Sequence, residues 1–250
     1  MGALHVEQAR DVLRVTLARP EQRNAFDAAL IQGLTEAFSD VGDEVRAVVL
    51  SGEGPSFCAG ADVEWQRASI DLTFEENVED ALRLYRMLAT VDGCPAPVVA
   101  RVQGYALGGG SGLVSCADVV VAAPNATFGF SEVRLGIIPA VISPFVFAKI
   151  GTGAARHLFV TGERFDAQAA LRLGLIHEVA EDLDASVERH VGAVLASGPQ
   201  ATRAAKNLAL EGPDVGPELA HIAATLRAGA EGQEGLRAFL EKRPPRWRCK

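Results

Sequence analysis

A run of three glycines in Gly104-Tyr105-Ala106-Leu107-Gly108-Gly109-Gly110 is followed about twenty residues later by a lone carboxylate, in Phe128-Gly129-Phe130-Ser131-Glu132-Val133-Arg134. The glycines follow an apolar strand, Val98 to Val102, and open a segment that reads as a helix. Without Cβ atoms the backbone can approach a ligand closely and present bare N–H groups to it. At a helix N-terminus those groups are unpaired and lie at the positive end of the dipole. Such donors stabilise an oxygen that becomes negative during a reaction. With one carboxylate beside them to move protons, the chemistry suggested is that of an enolate.

A second backbone site is legible upstream. Ser51-Gly52-Glu53-Gly54-Pro55-Ser56-Phe57-Cys58-Ala59-Gly60-Ala61-Asp62 follows the buried strand Ala47 to Leu50 directly. Ligands of α/β sheets bind outside the carboxyl ends of the strands. Both glycine-rich segments are therefore expected at one edge, each giving an N–H to a two-donor hole. Taken alone, Ala59-Gly60-Ala61 reads rather as a tight turn, and only its pairing with the triple glycine favours the functional reading. Glu132 also has a plainer reading, a surface salt bridge to Arg134 or Arg101. The reactive reading is that an apolar surrounding, expected from Phe128, Phe130, Ile137 and Ile138, raises its pKa and suits it to proton transfer.

Spacing excludes several other chemistries. A dinucleotide fingerprint starting at Gly108 would need a glycine where Leu113 stands, and no Gly-Lys-Ser/Thr follows to make a P-loop. Ser111 fails as a nucleophile elbow for the same Leu113. His5, His157, His177, His190 and His221 show no metal-ligand spacing, so no metal is expected.

The elements needed to hold these groups alternate. Val12 to Leu17 reads as a strand, and Asp27 to Asp40 as a helix with Leu30, Ile31, Leu34, Ala37 and Phe38 on one face. Residues 77–90 give a second helix through Val78, Leu82, Tyr85 and Leu88, and Val119 to Ala123 another buried strand. The alternation predicts an α/β core. From about residue 140 the pattern is helical, with Asp166 capping one helix and Gly174 ending it. Pro217 to Arg243 reads as one long terminal helix. Residues 63–77 carry no legible pattern, and a soft boundary falls at Ser197-Gly198-Pro199.

Composition narrows the class. The 250 residues, 26.4 kDa and 48% hydrophobic content fit one large domain or one with a small appendage. A net charge of −8 and a pI near 5.2 argue against nucleic acid or an anionic membrane as partner. No membrane span and no secretory signal are expected. Val6 stands where a myristoylation signal needs Ser or Thr. Cys58, Cys94, Cys116 and Cys249 are scattered, which predicts a reduced, cytoplasmic protein.

Taken together, Phe57 to Asp62, Gly104 to Gly110 and Phe128 to Glu132 resemble the crotonase (enoyl-CoA hydratase/isomerase) family. Arg19-Pro20, Arg23 to Phe26, Thr161 to Ala167, Gly174 to Ile176 and Gly235 to Arg243 extend the similarity over residues 10–245. The resemblance implies an α/β spiral of β-β-α turns over residues 1–195 and a C-terminal helical region, 196–250, that packs between subunits. It implies a homotrimer or a hexamer of two trimers and an acyl-CoA thioester substrate, with no cofactor beyond the coenzyme A of the substrate. The implied oxyanion donors are the N–H groups of Ala61 and Gly109, with Glu132 as acid/base. Arg23, Ala25, Ala59, Gly60, Asp62, Gly108, Gly112, Phe239 and Lys242 are implied substrate contacts.

One departure matters. Hydratases of the family carry a first glutamate two residues after the triple glycine, where this chain has Gly112. A single glutamate at the second position is also the pattern of Δ3-Δ2 enoyl-CoA isomerases. Yet Gly108 to Val114 and Ser131 to Pro144 resemble bacterial methylglutaconyl-CoA hydratase-like proteins of leucine and acyclic-terpene breakdown, which also have a glycine-like residue there. The resemblance thus implies a hydratase of a branched or carboxylated 2-enoyl-CoA, with an isomerase and a non-catalytic acyl-CoA binder as alternatives. A glutamate placed at Gly112 is expected to be tolerated in the first turn of its helix and to face the substrate.

Overall fold

The computed structural model describes residues 2–211 and 217–248, so Cys249 lies outside the described residues. Strands β1 (Leu4–Ala9) and β2 (Val12–Leu17) form a hairpin and lead through a 3-10 turn to α1 (Ala28–Ser39) and β3 (Ala47–Gly52). Next come α2 (Val63–Ala68), α3 (Phe74–Asp92), β4 (Val98–Val102), β5 (Tyr105–Leu107) and α4 (Gly109–Ser115). After β6 (Val119–Ala122) and β7 (Thr127–Gly129) follow α5 (Ser143–Thr161), β8 (Arg164–Asp166), α6 (Ala167–Leu173) and β9 (Glu178–Val179). The C-terminal part holds α7 (Leu183–Ala196), α8 (Pro199–Glu211), α9 (Pro217–Ala228) and α10 (Ala230–Leu240).

The strands wind as a spiral of β-β-α turns. One sheet has the order β1-β2-β3-β4-β6-β9, and a smaller one the order β5-β7-β8. Each turn lays one strand in the large sheet and a short strand or bridge beside the small one, then leaves through a helix. Thus β4 is followed by β5 and α4, and β6 by β7 and α5. The turn after β3 has two isolated bridges, Cys58 to Ala106 and Ala61 to Phe26, before α2. From β2 to β9 the neighbours of the large sheet run parallel.

Both faces of that sheet are covered, which is why its strands read as unbroken apolar runs. Alternate residues divide between two layers. Val48, Leu50, Val98, Ala100 and Val120 join the main core with α1, α3 and α4, whereas Ala47, Val49, Val99 and Val121 pack on Val187 and Val191 of α7.

Several expectations need correction. The terminal helix is two helices, because Gly229 is extended (φ −64°, ψ 162°) and the chain folds back. A Cβ at Gly232 would lie 2.2 Å from the carbonyl oxygen of Leu226, so that turn closes only on glycine. Residues 63–77 are largely helical, with Asp62 capping α2 and Thr73 with Glu76 making a capping box on α3. Of the stripe expected on α3, Leu88 is buried, but Val78, Leu82 and Tyr85 are 43%, 38% and 41% exposed. The inward stripe runs from Asn77, Asp80, Ala81 and Leu84, which line the cleft and keep part of their surface exposed, to Met87, Leu88 and Val91, which are buried. Its first turns carry polar side chains, so hydrophobicity pointed to the wrong face. Strand β1, polar and exposed beyond Leu4, gave no signal at all.

The C-terminal helices are fastened to the spiral by buried charge. Lys206 of α8, only 8% exposed, donates to Asp118 at 2.8 Å, and the same carboxylate oxygen accepts from the Val98 N–H at 2.7 Å. Arg203 reaches Asp43 and the carbonyl oxygens of Gly42 and Val45. Lys206→Met should lower stability by about 2 kcal/mol. That is less than the about 3–5 kcal/mol of a fully buried pair, since the Asp118 side chain keeps 25% exposure. Denaturant unfolding measures the loss, and an unchanged midpoint would show the pair to be dispensable.

Candidate active site

Two backbone crossings build the site. Cys58 N–H donates to Tyr105 O at 2.9 Å and Leu107 N–H to Cys58 O at 3.0 Å, fixing the upstream glycine segment on β5. Phe26 N–H donates to Gly60 O at 2.7 Å, and Asp62 N–H to Phe26 O at 2.9 Å. The approach leaves no space for side chains. A Cβ at Gly110 would lie 2.3 Å from Cys58 O, and one at Gly60 (φ 95°) 2.8 Å from Leu107 O. Within this frame the Ala61 N–H has no backbone acceptor among the described residues. Gly109 is the first residue of α4, where N–H groups lack intrahelical partners.

The upstream segment is also held from behind. Asn24, fully buried, accepts from the Arg19 N–H and donates to Glu53 O and Ser56 O. Arg19 bridges Asp27 and Asp62, each at 3.1 Å. Burial works to raise the pKa of Asp62, but the N–H groups of Glu64 and Trp65 and the Arg19 guanidinium outweigh it and hold the carboxyl below its usual range. Asp62 thus anchors the start of α2.

Glu132 opens the 3-10 turn that follows β7. It faces a cleft of about 450 Å³ lined also by Ala59, Gly60, Ala61, Gly108 and Gly109. Gly108, at φ 52°, admits the carboxylate: a Cβ there would stand 3.2 Å from Glu132 Oε1. Glu132 Oε2 is buried with no hydrogen-bond partner. Burial raises its pKa, opposed only by its own backbone N–H. No ion pair reaches it among the described residues, and Arg101 is engaged by Asp184 at 2.6 Å. The surface salt-bridge reading therefore fails.

The cleft's apolar walls are not quite those expected. Ile137 and Ile138 line it, but Phe128 and Phe130 are fully buried behind it, packed on Phe165. Phe26, Trp65, Leu84, Leu107, Val141 and Ile142 supply the remainder. Sequence reading missed Trp65, Asp80 and Arg164, which also line it. The Trp65 indole donates to Asp80 Oδ1 at 3.1 Å, while the Arg164 guanidinium sits 5.7 Å from the Tyr105 ring centre. The helical spacing 77, 80, 81, 84 was the available signal for Asp80.

Other expected contacts lie elsewhere. Arg23 is exposed over Tyr105, and its carbonyl oxygen accepts from the Ala59 N–H at 3.0 Å. Ala25 is buried, with its carbonyl oxygen on Arg19. Phe239, 79% exposed, and Lys242 do not line the cleft of the protomer. Gly112 does not line it either. A Cβ there would meet Ile142 Cγ2 at 2.5 Å and Cβ at 2.9 Å, so the expected tolerance of a glutamate is overturned by packing. Among the described residues no group of three His, Cys, Asp or Glu side chains is arranged to hold a metal ion.

Backbone N–H groups of two glycine-rich segments, a buried carboxylate oxygen and apolar walls share one cleft on a β-β-α spiral, and comparison with known proteins places the fold in an enzyme class. The family model described as enoyl-CoA hydratase/isomerase matches residues 7–250. The chain belongs to this family, the crotonase family of enzymes. The solved structure of AtuE from Pseudomonas aeruginosa superposes with a TM-score of 0.94 at 38% identity, covering 98% of this chain and 99% of that one. An enoyl-CoA hydratase from Shewanella pealeana gives 0.92 at 38% identity, covering 98% and 96%. The mevalonyl-coenzyme A hydratase of Aspergillus fumigatus is 35% identical over 256 residues, 95% of this chain and 91% of the relative.

The burial of Glu132 has a measurable effect on stability. Below the unfolded-chain pKa of about 4.3 the carboxyl is protonated in both states and no penalty arises. As pH rises through the raised folded value, the unfolded chain ionises freely while the folded one ionises in a poorly solvated cleft, so stability falls. Glu132→Gln should therefore raise the unfolding midpoint at neutral pH and lose that advantage near pH 4. A pH series of thermal melts checks it; a constant difference would contradict the desolvated carboxyl.

Proposed function

We propose that this protein hydrates a 2-enoyl-CoA, or runs the reverse dehydration, through a thioester enolate. Ala61 and Gly109 donate their N–H groups to the thioester oxygen as it becomes negative, and Glu132 exchanges a proton with C2. The single observation that carries the reading is the buried, undonated Glu132 Oε2 in the cleft that Ala61 and Gly109 also line. A carboxyl with a raised pKa is suited to give and take a proton near neutral pH. The Shewanella pealeana relative is an enoyl-CoA hydratase and the Aspergillus fumigatus one a mevalonyl-coenzyme A hydratase, which supports the reading.

A branched or carboxylated acyl group, such as that of 3-methylglutaconyl-CoA, is the substrate class we favour. Arg164 supports it, being the one guanidinium among the cleft-lining residues and thus a partner for a carboxylate. An isomerase is the second reading, favoured by Gly112, since moving a double bond needs only one base. A cytoplasmic setting belongs to this proposal and is compatible with the free, buried thiols of Cys58, Cys94 and Cys116; no described helix is long and apolar enough to cross a membrane.

Incubation with crotonyl-CoA, 3-methylglutaconyl-CoA and a 3-enoyl-CoA in heavy water separates the readings. Hydroxyacyl product marks a hydratase, a migrated double bond an isomerase, and no change a binder. Glu132→Gln should lose at least ~100-fold in turnover with acyl-CoA affinity kept; near-normal turnover would remove Glu132 from the mechanism.

We further propose a homotrimer or a hexamer of two trimers, assembled through residues 196–250. Ile222, Leu236, Phe239 and Leu240 are 40%, 47%, 79% and 76% exposed in the protomer, which leaves apolar surface for a neighbouring subunit to cover. Contacts of Phe239 and Lys242 with a thioester would then be made across the subunit boundary. Sedimentation should give three or six copies per particle, and a stable monomer at micromolar concentration contradicts the assembly.

A further inference from the structure

The missing first glutamate cannot be supplied from α4. Ile142 fills the space a side chain at Gly112 would need. A different element presents a carboxylate to the same cleft. Of the residues that line it, Glu132 and Asp80 are the two that carry one.

Asp80 lies on the inward stripe of α3, between Asn77 and Leu84. Its side chain is partly buried at the cleft wall. Here its described partner is the Trp65 indole, which donates to Oδ1 at 3.1 Å, and no cation lies within ion-pair distance among the described residues. Trp65 has one N–H to give, so Oδ2 remains for something in the cleft. Trp65 is itself set in place by α2, whose cap Asp62 is bound to Arg19. The frame that carries Ala61 therefore also orients Asp80.

We propose that Asp80 is the second carboxylate of the hydration, holding and deprotonating the water while Glu132 protonates C2. This rests on the hydratase reading above. The water oxygen forms a bond to C3 as its proton passes to Asp80. The electron pair of the C2–C3 double bond shifts toward the thioester, whose oxygen becomes negative between Ala61 and Gly109. The enolate collapses as C2 takes the proton of Glu132, and the protonated Asp80 and ionised Glu132 are reset through solvent. One water is added and no other reactant is consumed.

Asp80→Asn is the test, since asparagine can still accept from Trp65. Its hydration of whichever 2-enoyl-CoA the wild type turns over should fall at least ~100-fold. Exchange of the C2 protons of butyryl-CoA with heavy water should remain within about threefold of wild type, because exchange uses Glu132 and the backbone donors but adds no water. Glu132→Gln should lose both activities. Hydration by Asp80→Asn within a few-fold of wild type would overturn the proposal. So would an equal loss of hydration and exchange, which marks a structural role. Failure of the underlying reading looks different: the wild type itself would form no hydroxyacyl product while still exchanging C2 protons or moving a double bond.

Discussion

Backbone meets backbone at the centre of this protein. Cys58 O occupies the place a side chain at Gly110 would take, and Leu107 O the place beside Gly60. Because the two segments cross with no side chains between them, the Ala61 N–H and the first N–H of α4 line one cleft. Any larger residue at either glycine would force the segments apart. Pre-placed donors stabilise a developing charge only while their geometry is fixed. The main core, the Asn24 hydrogen bonds and the Arg19 bridges serve to keep that crossing rigid.

The carboxylates follow from the same frame. Gly108 holds a left-handed conformation and leaves the space that Glu132 Oε1 approaches. Its other oxygen stays undonated, a cost that folding bears because the surrounding turn gives it no alternative. Asp80 is partly buried and faces the same cleft from α3. A local rule is broken at Glu132, which faces the cleft, where a functional site is expected to strain against stability.

Gly112 shows how substitution and packing travel together. Its lack of a side chain lets Ile142, just ahead of α5, pack against α4. The cleft wall formed there by Val141 and Ile142 is apolar where a glutamate would have been. The other carboxylate that lines the cleft beside Glu132 comes from α3.

Strands β2, β3, β4 and β6, the burial of the sheet on two faces, α1, the caps at Asp166 and Gly174, and the meeting of the glycine segments were determined by the sequence. Each depends on local periodicity or on a residue type with one structural use. Glu132 was legible because it stood alone beside the glycines. Asp80 was not, because its stripe on α3 is polar where it lines the cleft, and apolar periodicity favoured Val78, Leu82 and Tyr85 instead. The space at Gly112 was equally hidden, because Ile142, which fills it, comes from a distant segment. Which carboxylates share the cleft is fixed by how α2 and α3 lie over the spiral, and only tertiary packing decides that.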